Sequence, residues 1–423
     1  MLKSVHRAKY VLAEPDLLLQ NAAVHISNPG RISRIEPWTD PPAIPGVEVI
    51  DWGTAVIIPG FINAHTHLEL TDFCGKLTRF ESFGDWIIEL VNQRRTWSKD
   101  RFLNSAKDGE RAALSSGTTL VGDITASGVG WDAAVEGKLR RVVFEEVTAL
   151  SATNIDQALS RLEPFLNRAI HGPLLTKGIS PHAPYTVSPG LYSRIAELSR
   201  KRGLLLATHV AETKAEIEFL QTGTGELRDM LSRLGALPAD WKPPQISPVL
   251  FLDCLGALGQ SCLLIHCNYV DQESINRILH TRSSVVYCPR SHNFFGHDPH
   301  PVRKLLDSGI NIALGTDSLA SNSSLSMLDE VRFLSKTRKD LKPEEIFRAA
   351  TLNGAAALNF GGVLGRLRRG YWADLAVLKL PDSTGPRQLT AQMLEGAGEC
   401  IATIVQGKIV WRKDSFSENQ GRL

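Results

Sequence analysis

No run of about 18 or more apolar residues occurs in this 423-residue sequence, so no segment reads as a membrane-spanning helix. A surplus of one charge is missing too. Lys and Arg number 47 against 45 Asp and Glu, a net +2, which excludes an electrostatic grip on nucleic acid as the main activity. The six cysteines (Cys74, Cys254, Cys262, Cys267, Cys288, Cys400) never form Cys-x-x-Cys, which excludes a zinc knuckle and argues for buried thiols in a reducing compartment. The first residues carry Lys3, Arg7, Lys9, Glu14 and Asp16 and no apolar stretch leading to a small-residue cleavage site. A secretory signal is therefore not expected, and the cytoplasm is the expected location. Low-complexity tracts are lacking, and so is a Gly-x-Gly-x-x-Gly after an early strand, which argues against a doubly wound dinucleotide fold.

What remains is an ordinary globular composition, 43% hydrophobic and 22% charged, long enough for a large barrel with a smaller appended domain. Residues 1–58 show short apolar stretches broken by Asn28-Pro29-Gly30, Pro41-Pro42 and Pro45-Gly46, the punctuation of a small β domain. The C-terminal runs Ala373–Lys379 and Cys400–Trp411 look alike. Neither end has enough strands to cover a core. The two are expected to pair into one discontinuous β-sandwich domain, 1–58 with 365–423, around a barrel over 59–364.

In the middle, strand-like runs recur at Thr118–Ile124, Arg141–Val147, Leu175–Ser180, Leu204–Val210, Cys262–His266, Ser284–Cys288 and Ile310–Leu314. Amphipathic segments lie between them, such as Leu191–Arg202 with Leu191, Ile195 and Leu198 at helical spacing and Gly203 as the stop. With Ala55–Ile58 counted first there are eight strands. The expectation is a TIM-type (β/α)8 barrel, with its site at the C-terminal ends of the strands. The Pro-rich stretch Gln221–Leu258 is longer than one crossover needs and could help roof that site.

Polar residues close these apolar runs. Pro59–Glu69 contains His65-Thr66-His67, and alternation along an extended segment places both rings on one side. The fifth strand ends in His209-Val210-Ala211-Glu212, the sixth in His266, and the eighth runs into Gly315-Thr316-Asp317-Ser318. A lone histidine in such a place is more often a packed core residue. Four strands ending this way together supply the imidazole and carboxylate groups that a divalent transition metal takes.

These segments together resemble the amidohydrolase superfamily, and most of all its branch of mononuclear deaminases and chlorohydrolases. That branch includes guanine, cytosine, adenosylhomocysteine/methylthioadenosine and aminodeoxyfutalosine deaminases and the triazine hydrolases. The resemblance spans essentially the whole chain. Gly370-Tyr371-Trp372-Ala373-Asp374-Leu375 is similar to the family's Gly-x-x-Ala-Asp-Leu return to the β domain. It implies that His65, His67, His209 and Asp317 bind one divalent metal, Zn2+ with Fe2+ as the alternative. Asp317 would also accept a proton from the attacking water. His266 would hydrogen-bond that water or the oxyanion, and Glu212 would shuttle a proton to the ring nitrogen, although an exposed helix-capping Glu212 is the plainer reading.

The implied activity is hydrolytic deamination of an amino-substituted N-heterocycle, a purine or adenine-nucleoside derivative. Chlorohydrolysis or cyclic-amide hydrolysis on the same site is the alternative, and a non-catalytic scaffold the remote one. The expected partner is a small heterocycle, without nucleic acid or membrane; relatives are often homodimers. Two neighbouring designs do not fit. Lys177 lies near the start of the fourth strand, too far from the mouth to bridge two metals, and reads as a solvated strand-start residue. Cys288-Pro289-Arg290-Ser291 lacks the second cysteine of the smaller zinc deaminases.

Expected substrate contacts are His182, closing the fourth strand, and Glu69, which could equally anchor its loop. Arg290 and His292 enter from Cys288–His300, where relatives carry Pro-x-Ser-Asn and this chain has His292 in place of the Asn. His292, His297 and His300 make a second metal conceivable, with a polar substrate loop preferred. In thioadenosine deaminases a glutamate some nine residues past the lid tryptophan holds ribose hydroxyls. A gap-free count from Trp86 puts Arg95 there, which would suit a carboxylate- or phosphate-bearing ligand.

Overall fold

The structure, a computed structural model, describes residues 1–39, 45–78, 81–170, 172–387, 389–396 and 398–414. The Pro41-Pro42 turn signal and residues 415–423 lie outside the described residues. Strands β1 (Leu2–Glu14), β2 (Leu17–Ser27), β3 (Arg31–Pro37), β4 (Glu48–Asp51) and β5 (Ala55–Pro59) come from the N-terminal end. The barrel strands are β6 (Phe61–Thr66), β7 (Thr118–Thr125), β8 (Arg140–Val147), β9 (Leu175–Pro181), β10 (Leu205–Val210), β11 (Cys262–His266), β12 (Ser284–Tyr287) and β13 (Ile312–Leu314). The chain returns with β14 (Leu375–Lys379), β15 (Glu399–Val405) and β16 (Lys408–Arg412).

The terminal strands form one mixed sheet in the order β16-β15-β14-β5-β1-β2-β3, with β4 also on β1. The two ends meet where β5 runs antiparallel to β14, Leu375 opposite Pro59 and Lys379 opposite Ala55. This corrects the identity of the first barrel strand and leaves the count at eight. Ala55–Ile58 belongs to the terminal sheet, and the first barrel strand is Phe61–Thr66. Both stretches are fully buried and only Gly60 lies between them, so the pattern reads as one element that ends in the polar His65-Thr66-His67. Gly60 separates them at a crowded crossing, where a Cβ would come within 2.2 Å of the Thr119 side chain.

The barrel strands are parallel neighbours in sequence order from β6 to β13. The ring closes at the candidate site itself, where Thr316 N and Asp317 N each donate to His65 O at 3.1 Å. Gly315 permits that approach, since a Cβ there would lie 2.8 Å from His65 O. The helices follow the sequence pattern closely. Pro189–Arg202 ends on Gly203 in the left-handed conformation, with φ 63°.

Asp374, in the Ala-Asp-Leu motif, explains how the sheet is fastened to the barrel. Its carboxylate accepts from Arg140 Nε at 2.9 Å, from the Arg140 guanidinium at 3.1 Å and from Gln406 N at 2.8 Å, with Asp374 and Arg140 both buried. Lys177 is not solvated as expected. It is buried, and its ammonium donates to Leu166 O and Arg168 O, the free carbonyls ending the helix Ile155–Asn167. Among the described residues no helix is long and apolar enough to cross a membrane.

Candidate metal centre and pocket

The strand ends bring the expected ligands together. His65 ends up beside Asp317 because β6 and β13 close the ring; His67 follows one residue past β6, and β10 presents His209. His65 Nε2 lies 3.5 Å and His67 Nε2 3.8 Å from Asp317 Oδ1. The His65 ring centroid is 4.9 Å from His67 and 5.0 Å from His209. Bonds of 2.0–2.1 Å to one tetrahedral ion would set ligand atoms about 3.4 Å apart, so the spacing suits a single zinc-sized ion.

The donor set fits as well. Both ring nitrogens of His65 are buried without a hydrogen-bond partner, an arrangement that a bound cation would explain. His209 Nδ1 donates to His182 O at 3.0 Å, which leaves Nε2 as the lone-pair nitrogen facing the cluster. Burial keeps the His67 and His209 imidazoles neutral, the form a metal binds, and pushes His266 down to about 3 despite the attraction of Asp317.

Asp317 is the most heavily held of the set. Ser291 Oγ at 2.7 Å and Ser321 Oγ at 3.2 Å donate to Oδ2, and Ser318 N at 2.7 Å donates to Oδ1. Burial opposes its ionisation, but the surrounding imidazoles, His65 foremost, outweigh it and hold the carboxyl well below the usual range. Asn63, two residues before His65, braces the seam by donating to Thr316 Oγ1 at 2.7 Å and accepting from Thr316 N at 3.0 Å.

Glu212 is buried, not an exposed cap. The helix Lys214–Thr222 is capped by Thr213 instead. Glu212 Oε1 lies 3.5 Å from His266 Nε2. Burial first, then the neighbouring Asp317 and Glu216 carboxyls, push its carboxyl well above the ordinary range, which favours the protonated form. Asp317 and Glu212 are thus two carboxyls lining one pocket whose surroundings push them in opposite directions, the pattern that separates a base from an acid. Ala211, His266, Cys267 and Asp317 all adopt positive φ, between 51° and 75°, a local strain gathered at the strand ends.

A pocket of about 80 Å3 lies over the cluster and opens into a lobe of about 590 Å3. His182 lines both, its Nδ1 engaged by Thr186 Oγ1 at 2.7 Å. Helix α1 (Phe83–Arg95) turns Ile87, Leu90, Val91 and Arg94 toward the larger lobe, the i, i+3, i+4, i+7 face of a helix. Across from it stand Met230, Leu231, Leu234 and Leu237, so the stretch Gln221–Leu258 does supply a wall.

Of the other expected substrate contacts, Glu69 lines the smaller pocket, while Arg95 and Arg290 do not line either lobe. Arg95 is exposed; one step along a helix turns a side chain by about 100°, and Arg94 takes the pocket-facing place. Arg94 is itself paired to Glu69 at 3.4 Å. Glu69 anchors its loop, accepting from Thr125 Oγ1 at 2.5 Å, Ala126 N at 3.1 Å and the Ser127 hydroxyl. Arg290 is outside the pocket lining, spent on Ser323, Ser324 and the carboxylates of Asp329 and Glu330.

The His292, His297 and His300 site does not assemble. His292 Nε2 donates to Asp298 O and His300 Nε2 to His266 O, both at 2.9 Å, and the metal-capable groups among the described residues all lie elsewhere. The residues that the sequence did not single out are Ser291, Asn63, Asn268, Glu216 and Arg94, together with Glu146, which lines both the smaller pocket and the larger lobe. Only Asn63 carried a signal, because its spacing from His65 puts it on the same face of the strand.

The profile of the amidohydrolase family matches residues 56–410. The 5-methylthioadenosine/S-adenosylhomocysteine deaminase of Syntrophobacter fumaroxidans is 31% identical over 341 residues, covering 78% of this chain and 73% of its own. The aminodeoxyfutalosine deaminase of Deinococcus radiodurans is 31% identical over 331 residues, covering 75% of this chain and 76% of its own. The aminofutalosine deaminase of Helicobacter pylori in complex with methylthio-coformycin shares the fold, with a TM-score of 0.85 at 22% identity over 97% of this chain and 100% of that one. An adenosine deaminase from Xanthomonas campestris with bound zinc gives a TM-score of 0.79 at 24% identity, over 96% and 92%.

Proposed function

This chain belongs to the amidohydrolase family and is a hydrolase of carbon–nitrogen bonds, and from that premise we propose that it hydrolytically deaminates a purine nucleoside derivative with release of ammonia. The observation that carries the reading is the buried Glu212, its Oε1 3.5 Å from His266 Nε2, lining the same pocket as His67, His209 and Asp317. His65, His67, His209 and Asp317 would hold one divalent cation, zinc or alternatively iron. The ion, when bound, supplies the Lewis acidity that makes water a nucleophile near neutral pH.

The protein's own groups manage the protons. Glu212 protonates the ring nitrogen, which makes the adjacent carbon electrophilic, and His266 hydrogen-bonds the oxygen that adds there. Asp317 takes one proton of the attacking water and returns it to the amine, so that the carbon–nitrogen bond breaks with ammonia as the leaving group, while the remaining hydroxyl proton passes to Glu212 and restores its acid form. His182 borders the ring. The apolar outer lobe takes the substituent beyond the sugar, and Arg94, already paired to Glu69, offers no free cation for a phosphate there. We also assign the protein to the cytoplasm as a homodimer, to be checked by fractionation and light scattering.

The test is ammonia release by protein of measured metal content, across adenine nucleosides with varied 5′ groups and free aminated purines. Turnover by the wild type and its loss, with or without metal loss, in Asp317→Asn is expected. Silence across the panel with one equivalent of metal bound, or halide release from chlorinated analogues alone, overturns the deaminase reading.

A further inference from the structure

Glu216 lies four residues past Glu212, fully buried, in the first turn of the helix Lys214–Thr222. That helix has its cap already: Thr213 Oγ1 accepts from Glu216 N at 3.1 Å. In an ordinary capping box the glutamate at this place reaches back to the N–H of the capping residue. Here it reaches further. Glu216 Oε2 accepts from Glu212 N at 2.9 Å, and Ala211 N–H also points to this carboxyl. Its other oxygen, Oε1, is buried without any partner. A carboxyl buried with one oxygen unsatisfied is more than the helix end requires, and such a group calls for another explanation.

The far side of the same residue is held as well. Asn268 Nδ2 donates to Glu212 O at 2.9 Å from the turn that follows His266. Cys267 N donates to Val210 O at 3.1 Å and Tyr269 N to Ala211 O at 3.0 Å, stitching the two strand ends together. The clamped segment turns through Ala211 at φ 51°, a conformation that an L-residue keeps only when its surroundings impose it.

Resting on the proton-shuttle role of Glu212 proposed above, we infer that Glu216 and Asn268 are positioning residues, a two-sided clamp that holds the Glu212 backbone so that its carboxyl stays over the pocket. Neither touches substrate. Both act through Glu212.

The experiment measures turnover, KM and metal content of Glu216→Ala and Asn268→Ala in the full-length, metal-loaded protein, each alone and combined with Glu212→Gln. A misplacement of about 1 Å costs on the order of 10²-fold, so each single variant should lose about 10–100-fold in kcat with KM and metal content held. In the Glu212→Gln background the same changes should cost less than about twofold, because the residue they act through is already disabled. Glu216→Gln, whose carbonyl oxygen can accept the same N–H groups, should recover most of the lost rate.

Equal losses in both backgrounds, or a kcat near wild type, overturn the clamp. If Glu216→Ala does not fold, Asn268→Ala decides alone, since it loosens the other side and leaves the helix untouched. A wild type that releases no ammonia from any substrate removes the deaminase reading itself, whereas an active wild type with an undiminished Asn268→Ala removes only the clamp.

Discussion

Ser291→Ala should loosen the metal without dismantling the pocket. The Ser291 hydroxyl is 2.7 Å from Asp317 Oδ2, the shorter of the two serine contacts to that oxygen. A hydrogen bond to a charged acceptor contributes about 1.5–3 kcal/mol. At about 1.4 kcal/mol per tenfold, its loss weakens metal binding by about 10–100-fold, the range seen when groups behind metal ligands are removed. Ser321 at 3.2 Å and Ser318 N at 2.7 Å remain, so Asp317 keeps its orientation and activity returns at saturating metal. A chelator competition titration reads the affinity, with Ser321→Ala, from the longer bond, expected to lose less. A Ser291→Ala protein that is folded and holds metal within twofold of wild type would refute this account of how Asp317 is poised.

Glu212→Gln should keep its metal while turnover falls by about 10²–10⁴-fold, read by ammonia release; wild-type rates would return Glu212 to a purely structural role. Asp374→Ala strands the buried Arg140 guanidinium and should cost about 3–5 kcal/mol in urea denaturation with the metal retained. A loss under 1 kcal/mol would mean that the terminal sheet is held by something else. Glu216 has its folded-state pKa raised by burial to about 8 from 4.5. A raised carboxyl favours the folded state below the unfolded pKa and loses that stability as pH climbs through the folded value. Glu216→Gln should therefore gain on the wild type between pH 4.5 and 8, by at most about 5 kcal/mol, and a gap that narrows as pH rises would contradict the sign.

The barrel and the gathering of His65, His67, His209 and Asp317 at its strand ends were legible because both are written in short-range pattern. Buried parallel strands read as unbroken apolar runs, and a polar residue ending such a run has few structural uses. One strand was misplaced because Ala55–Pro59 is the more apolar run and is followed after a single residue by the equally buried Phe61–Thr66, the crowded Gly60 marking the change of sheet. The substrate wall was not legible. Whether Arg94 or Arg95 faces the pocket depends on helix phase, and Arg290 and the histidines after it are satisfied by partners distant in sequence or by carbonyls that no motif shows. Ser291 and Asn268 escaped for a related reason: their value lies in which atom of Asp317 or Glu212 they reach, and the fold alone sets that.

The most direct test of the central claim is isotope incorporation. The metal-loaded protein is incubated with an adenine nucleoside in 18O-enriched water, beside the matching 6-chloro compound. The account predicts one 18O in the product for each ammonia released, with the amine turned over in preference to the chloride and both reactions lost in Asp317→Asn. Product formed without solvent oxygen, or chloride released while the amine is left intact, would contradict it.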